Sequence, residues 1–207
     1  YERDSDRKPI VANGLKGPVI SVLDEIEKRS DFKFEITLMP WKRCLINVKQ
    51  HKNGFLMTLG GSYSVERERD FHLSYPVYYT SKGYWYNTLT YPDGLLIANT
   101  NDLKKYNVCG VHGHSYSGYG FSEGDAITTG TRTYGALFRN IQRNFCDLTP
   151  QSAPVPYGFQ AIGAFVIPKG IRFQKLPDSI QGPNHFLLSR VAPNSVAINE
   201  KMDKLLG

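Results

Sequence analysis

The sequence predicts an α/β protein of two small lobes with a cleft between them, and three observations lead there. Apolar residues recur at helical spacing in several stretches, short alternating or branched runs lie between them, and the connections are brief. No repeat of fixed period and no low-complexity linker interrupts the pattern across the 207 residues. A composition with 41% hydrophobic residues is enough for one good core or two small ones.

In chain order, Gly14-Leu15-Lys16-Gly17-Pro18 reads as a turn handing over to a helix, because proline suits a first helical turn. Val19, Val22, Leu23 and Ile26 follow on one face, and the helix is expected to end near Arg29-Ser30-Asp31. Phe32, Phe34, Ile36 and Leu38 alternate with Lys33, Glu35 and Thr37, the period of a strand with one face buried. Pro40 opens a second helix carrying Trp41, Cys44, Leu45 and Val48, which stops by Asn53-Gly54, and residues 55–59 form the next strand. Strand, helix, strand with short connections is a βαβ unit, which implies parallel strands.

In such a sheet ligands gather at the carboxyl ends of the strands. Residues 60–69 stand at one, with Ser62-Tyr63-Ser64-Val65-Glu66-Arg67-Glu68-Arg69 at the centre and Phe71-His72-Leu73-Ser74-Tyr75-Pro76 behind. Arginine carries a planar fork of donors that stays protonated at any working pH, so it suits bidentate capture of a carboxylate or phosphate. The same cluster also reads as a solvated, salt-bridged turn.

Residues 77–96 are dense in aromatics, among them Tyr78, Tyr79, Tyr84, Trp85, Tyr86 and Tyr91, and too polar for a simple core strand, so a connector between lobes is expected. Residues 101–105 form a single helical turn and 107–111 a strand. Next comes His112-Gly113-His114-Ser115-Tyr116-Ser117-Gly118-Tyr119-Gly120 and a polar stretch over 122–131. A strand followed by glycines and hydroxyls makes backbone N–H groups available to an anion. The glycine spacing matches neither a P-loop nor a dinucleotide fingerprint. Tyr134, Leu137, Phe138 and Ile141 mark another helix and 145–148 a short strand, so a second βαβ-like unit runs over 108–149. Residues 161–167 and Phe186-Leu187-Leu188 read as strands, and a terminal helix carries Ile198, Met202 and Leu205 behind an N-cap at Asn194 or Ser195.

Composition excludes several functions. The net charge is +6 and the pI about 9.1, but the basic residues are scattered, so an anionic small ligand is expected and a nucleic acid is not. Cys44, Cys109 and Cys146 share no close spacing and make no metal signature; the odd count leaves at least one thiol free, and a buried structural role is expected for each. His112 and His114 lack a carboxylate or thiol at matching spacing, so no metal is expected. No apolar run of about 18 residues exists to span a membrane. Residues 1–8 are charged, so no signal peptide is expected among them.

The order of motifs resembles the family-3 extracellular solute-binding proteins, the type II periplasmic binding proteins of polar amino acid ABC transporters and related sensors. The resemblance rests on Gly14-Leu15 before a helix, Pro40-Trp41-Lys42-Arg43, the Arg69 to Tyr75-Pro76 segment, Asp102-Leu103-Lys104, Gly113-His114-Ser115-Tyr116, Cys146-Asp147, and Ser189-Arg190 before the Pro193 helix. It covers nearly the whole chain and is carried by collinearity.

The resemblance implies a two-lobed periplasmic-binding-protein-like (type II) fold, with lobe 1 over 1–86 and the returning segment 185–207, and lobe 2 over 87–184. It implies an extracytoplasmic, monomeric, non-enzymatic protein without a cofactor, which captures a small anionic or zwitterionic solute and delivers it to an ABC transporter permease or a receptor. The family's carboxylate-gripping arginine stands six residues before an aromatic, which here selects Arg69 before Tyr75, with Arg67 as the reserve. Ser62 and Ser64 match helping hydroxyls, and Ser115 with Tyr116 match the donor turn of the second lobe. Trp41 occupies a helix-start position that faces either cleft or core, and closure is expected to bury the solute among Trp41, Tyr84 and Trp85. Where amino-acid binders place an aspartate for the ligand ammonium, this chain has Gln151 or Ser152, which leaves a neutral or purely anionic solute open. The family's first strand is expected before Tyr1 and its tail after Gly207. Two other readings remain: the input domain of a membrane signalling receptor, and a cyclohexadienyl dehydratase-like enzyme whose general acid would be Glu66, Glu123 or Asp147.

Overall fold

A computed structural model describes residues 10–11, 14–122, 124–161, 163–177 and 179–207. In chain order the elements are β1 (Ile10–Val11), α1 (Pro18–Arg29), β2 (Thr37–Leu38), α2 (Trp41–Lys49), β3 (Met57–Ser62), α3 (Val65–Asp70), β4 (Phe71–Leu73), β5 (Tyr78–Thr80) and β6 (Gly83–Asn87). They continue with β7 (Val108–Val111), β8 (Ile127–Thr131), α4 (Tyr134–Gln142), β9 (Leu148–Pro150), α5 (Pro154–Ala161), β10 (Ile171–Lys175), β11 (Gly182–Ser189) and α6 (Ser195–Leu206). The chain divides into two compact units. The first holds the described residues up to Tyr79 together with Pro183–Gly207, and the second is Thr80–Gly182.

In the first unit, α1 begins at Pro18 behind Gly17 and buries Leu23 and Ile26, with Lys28 and Arg29 in the last turn, where they suit the negative end of the helix dipole. These side chains join Phe186, Leu188 and Met202 in one core, so the apolar stripes of α1 and α6 close on β11. A four-stranded sheet runs in the order β3-β11-β4, and β5 also pairs with β11. The expected βαβ unit takes a different form. The strand over 32–38 shortens to β2, which pairs antiparallel with β1, and β3 pairs antiparallel with β11. The returning C-terminal strand supplies β3 with the long apolar partner, Phe186-Leu187-Leu188, that period-two reading of a local segment does not reveal. Residues 60–69 are also more regular than the expected turn, since α3 occupies their second half.

The second unit is built on a five-stranded sheet in the order β10-β6-β9-β7-β8. β7 lies parallel to both β8 and β9, so the βαβ-like reading of 108–149 meets a parallel pair, Val108 opposite Leu148. The aromatic stretch expected as a connector contains β6, which is buried at every residue. Tyr84 and Tyr86 point to one face, into a core with Leu103, Val108 and Leu148; Trp85 points to the other, with Phe138, Ile141 and Ile171. Tyrosine is polar only at its tip, so the run reads as wet while its rings fill a core. This places 83–87 in the sheet of the second unit, where a lobe boundary after residue 86 was expected. Among the described residues of 161–167 there is no strand: α5 starts at Pro154, and its last residue is Ala161.

Cys109 of β7 and Cys146, before β9, form a disulfide with Cα atoms 5.8 Å apart across 37 residues. Cys44 is the free thiol, half-buried, and burial pushes it up from its usual value. Among the described residues no helix is long and apolar enough to cross a membrane, and no group of three or more metal-ligating side chains could hold an ion.

Candidate functional site

The first unit concentrates its unusual chemistry where β3 meets α3. Gly60 takes a φ of +74°, and a Cβ on Gly61 would lie 2.5 Å from a methyl carbon of Leu187, so these glycines let β3 approach β11 and turn. Ser64 caps the helix, its Oγ accepting from the Arg67 N–H at 3.2 Å. That cap fixes the helical register in which Arg67 turns inward and Arg69 outward.

Arg67 is 8% exposed. Its Nη1 donates to the Ser62 carbonyl at 2.7 Å and to Ser62 Oγ at 2.6 Å, and its guanidinium carbon lies 5.6 Å from the centre of the Trp41 ring. Burial pushes the guanidinium down from its usual value, against the attraction of neighbouring Glu66, yet an arginine keeps its proton at any ordinary pH. No carboxylate among the described residues pairs with it. A buried charge without a counter-ion is costly, which makes Arg67 the most unusual polar group of this unit.

Arg69, the residue expected to grip the ligand, is placed differently. Its side chain is 75% exposed and its Nε lies 3.6 Å from Asp70 Oδ1, while Lys49 holds the other oxygen of Asp70 at 2.7 Å. The neighbouring lysine holds the Asp70 carboxyl below its usual range. Arg69 is the solvated, salt-bridged arginine, and the count of six residues from an aromatic selected it because counting ignores which side of α3 faces inward. Ser62 and Ser64 are both brought to Arg67, one as its acceptor and the other as the cap of its helix. Trp41, half-buried at the start of α2, stands against the same guanidinium.

The second unit treats its predicted residues in another way. Tyr116 is buried, and its hydroxyl accepts from the Val111 N–H at 2.6 Å while its ring packs against Gly110, where any Cβ would fall 2.5 Å from it. It is a core residue that closes the turn after β7, where a ligand contact was expected. Trp85, also expected at the ligand, is a core residue of the second unit. It is 1% exposed, with ring centres of Phe138, Tyr157 and Phe173 at 5.2, 5.1 and 5.5 Å. Tyr84 is likewise fully buried. Ser115 is exposed, its hydroxyl 3.0 Å from that of Ser117. Ser152 is buried with its Oγ 3.5 Å from Gln151 Nε2, and Gln151 Oε1 accepts from Tyr134 at 3.0 Å.

Of the acids considered for catalysis, Glu66 is exposed on α3, and Glu123 lies outside the described residues. Asp147 has both oxygens engaged, one accepting from Tyr91 at 2.5 Å and the other from the Asn107 N–H at 2.8 Å, which is a structural use.

No protein-family model matches the sequence, and no curated protein matches it. Solved structures do. The arginine-, lysine-, histidine-binding protein ArtJ from Geobacillus stearothermophilus is 14% identical with a TM-score of 0.70, over 96% of this chain and 82% of that one. The arginine-bound form of truncated ArgBP from T. maritima is 13% identical with a TM-score of 0.68, over 98% and 91% of the two chains. A histidine kinase sensor domain with similarity to periplasmic binding proteins is 14% identical with a TM-score of 0.70, over 99% and 85%. At these identities the likeness speaks for architecture: the chain has the periplasmic-binding-protein-like α/β fold, in two units.

Proposed function

We propose that the chain is an extracytoplasmic solute-binding module that captures a small anionic or zwitterionic, amino-acid-like solute for an ABC transporter, with Arg67 as the anchor of the solute's carboxylate. The observation that carries this reading is the buried guanidinium of Arg67 with no carboxylate partner among the described residues. The Cys109–Cys146 disulfide supports the compartment, since such bonds persist where the surroundings are oxidising. Fold neighbours named for binding arginine, lysine and histidine support an amino-acid-like solute. No catalytic step is assigned.

The test is a thermal-shift screen of the purified chain against amino acids, dicarboxylates, short peptides, sugars and polyamines. A ligand at a hundred times its dissociation constant adds about 2.7 kcal/mol, and each kcal/mol moves the midpoint of a chain this size by roughly 2–4 °C. A shift confined to carboxylate-bearing compounds and lost in Arg67→Met supports the reading; a shift that survives that change overturns it. The sensor-domain neighbour favours a second reading, in which the same binding event feeds a membrane receptor. A full-length gene continuing into a membrane-spanning helix and a signalling domain would decide for that reading.

A further inference from the structure

Three elements meet at Arg67. The last residue of β3, Ser62, supplies two acceptors to Nη1; α3 carries the arginine; and the first residue of α2, Trp41, lays its ring 5.6 Å from the guanidinium carbon. Both hydrogens of Nη1 are therefore spent inside the protein. Nε and Nη2 have no partner among the described residues, and with Nη1 engaged they form the edge of the fork left for a carboxylate, with two parallel N–H bonds. An arginine side chain has several rotatable bonds, so a free edge is useful only if something holds the plane still.

We infer that Trp41 is a positioning residue: its indole is the platform that, together with Ser62, fixes the plane of the Arg67 guanidinium and presents the Nε–Nη2 edge to a planar carboxylate. This rests on the reading of Arg67 as the solute anchor and assigns Trp41 a role through Arg67, with one face of its ring occupied by the protein's own cation. A second consequence is spectroscopic. The chain has two tryptophans, and Trp85 is sealed in the core of the second unit, so any response of emission to the charge at Arg67 comes from Trp41.

The experiment compares Trp41→Phe, Trp41→Leu and Arg67→Met with the parent chain, well below each thermal midpoint, using L-arginine, L-glutamate and acetate as probes in calorimetric titrations. Phenylalanine keeps an aromatic face for the cation and leucine does not. The expected result is affinity within threefold of the parent for Trp41→Phe and a loss of tenfold or more for Trp41→Leu. Equal losses in the two variants, or parental affinity in Trp41→Leu, overturn the inference. A ligand-free arm keeps the two readings separate. The emission of Trp41, taken as the difference between parent and Trp41→Phe spectra, is expected to shift when Arg67→Met removes the cation, and an unchanged spectrum overturns the platform. If no probe binds the parent while the emission shifts, the platform stands and the solute reading falls.

Discussion

The segments after β3 in the first unit and after β7 in the second are written in the same vocabulary, a short strand, then glycines, then hydroxyls, and they use it for opposite ends. After β7 the polar tip is consumed internally: the Tyr116 hydroxyl takes the Val111 N–H, and the ring seals against Gly110. After β3 the polar group left over is a full positive charge, Arg67, buried against Ser62 and Trp41, with three of its five N–H donors unpaired among the described residues. The Tyr116 hydroxyl is part of the fold, whereas the partly engaged charge of Arg67 is the feature on which the proposed solute site rests. The units also differ in how they are secured. The second carries a disulfide across a sheet packed with aromatic rings; the first closes its core by the return of β11 and α6.

The largest effect expected from this contrast is on the disulfide. Closing a loop of 37 residues stabilises by about 4 kcal/mol in the chain-entropy account, so Cys109→Ser with Cys146→Ser should lower the melting midpoint by roughly 8–15 °C. The loss should appear in the second unit first. Amide hydrogen exchange should speed up in β7 and β9 before it does in β3 and β11, and uniform acceleration through both units would break the comparison.

Next in size is the contrast between two arginines a helical half-turn apart. Arg67→Met should weaken carboxylate binding by about 3 kcal/mol, more than a hundredfold, for two charge-assisted bonds. Its melting midpoint should hold or rise, since replacing an unpaired buried charge by an apolar chain is often neutral or stabilising. Arg69→Ala should leave affinity within threefold, its side chain being exposed beside Asp70. Titration calorimetry on both variants checks this, and a larger loss at Arg69 would return the site to the exposed face of α3.

The helices α1, α2, α4 and α6 and the parallel pairing of β7 with β9 were legible because each rests on a local period or on a short connection. What was hidden depends on distant partners. β3 reads as one strand of a local βαβ unit until β11 arrives from the far end of the chain to pair with it. β6 reads as a polar connector because a tyrosine counts as polar in sequence, while its hydroxyl occupies only one end of a ring that packs. At the proposed site, Ser62, Ser64 and the arginine pair could be named, but preferring Arg67 to Arg69 needed α3. A signal was present: Ser64 stands three residues before Arg67, the spacing at which a cap serine meets the third helical N–H.

A smaller test takes the satisfied side of the comparison. Tyr116→Phe keeps the ring against Gly110 and removes the acceptor of the Val111 N–H, leaving a buried donor unmade. The expected cost is about 2 kcal/mol of stability, read by urea denaturation, with no change of affinity at Arg67. A weakened affinity with unchanged stability would give Tyr116 back its expected place at the ligand.

The smallest effects come from two helix caps that do the same work in the two units. Ser64 Oγ accepts from the Arg67 N–H at 3.2 Å, and Thr133 Oγ1 accepts from the Ala136 N–H at 3.2 Å at the start of α4. Replacing either residue by alanine should cost about 1 kcal/mol of stability, because each removes one side-chain acceptor from a helix's unpaired first-turn donors. Binding should separate them. The donor that Ser64 satisfies belongs to Arg67 itself, so its loss frays the turn that holds the guanidinium against Ser62 and Trp41, and affinity should fall a few-fold. Thr133→Ala frays α4, whose inner face packs with Phe138 and Ile141 in the second core, and should leave affinity unchanged. Equal behaviour of the two caps in binding would mean that the register of α3 does not aim Arg67, and that the Ser62 and Trp41 contacts hold it alone.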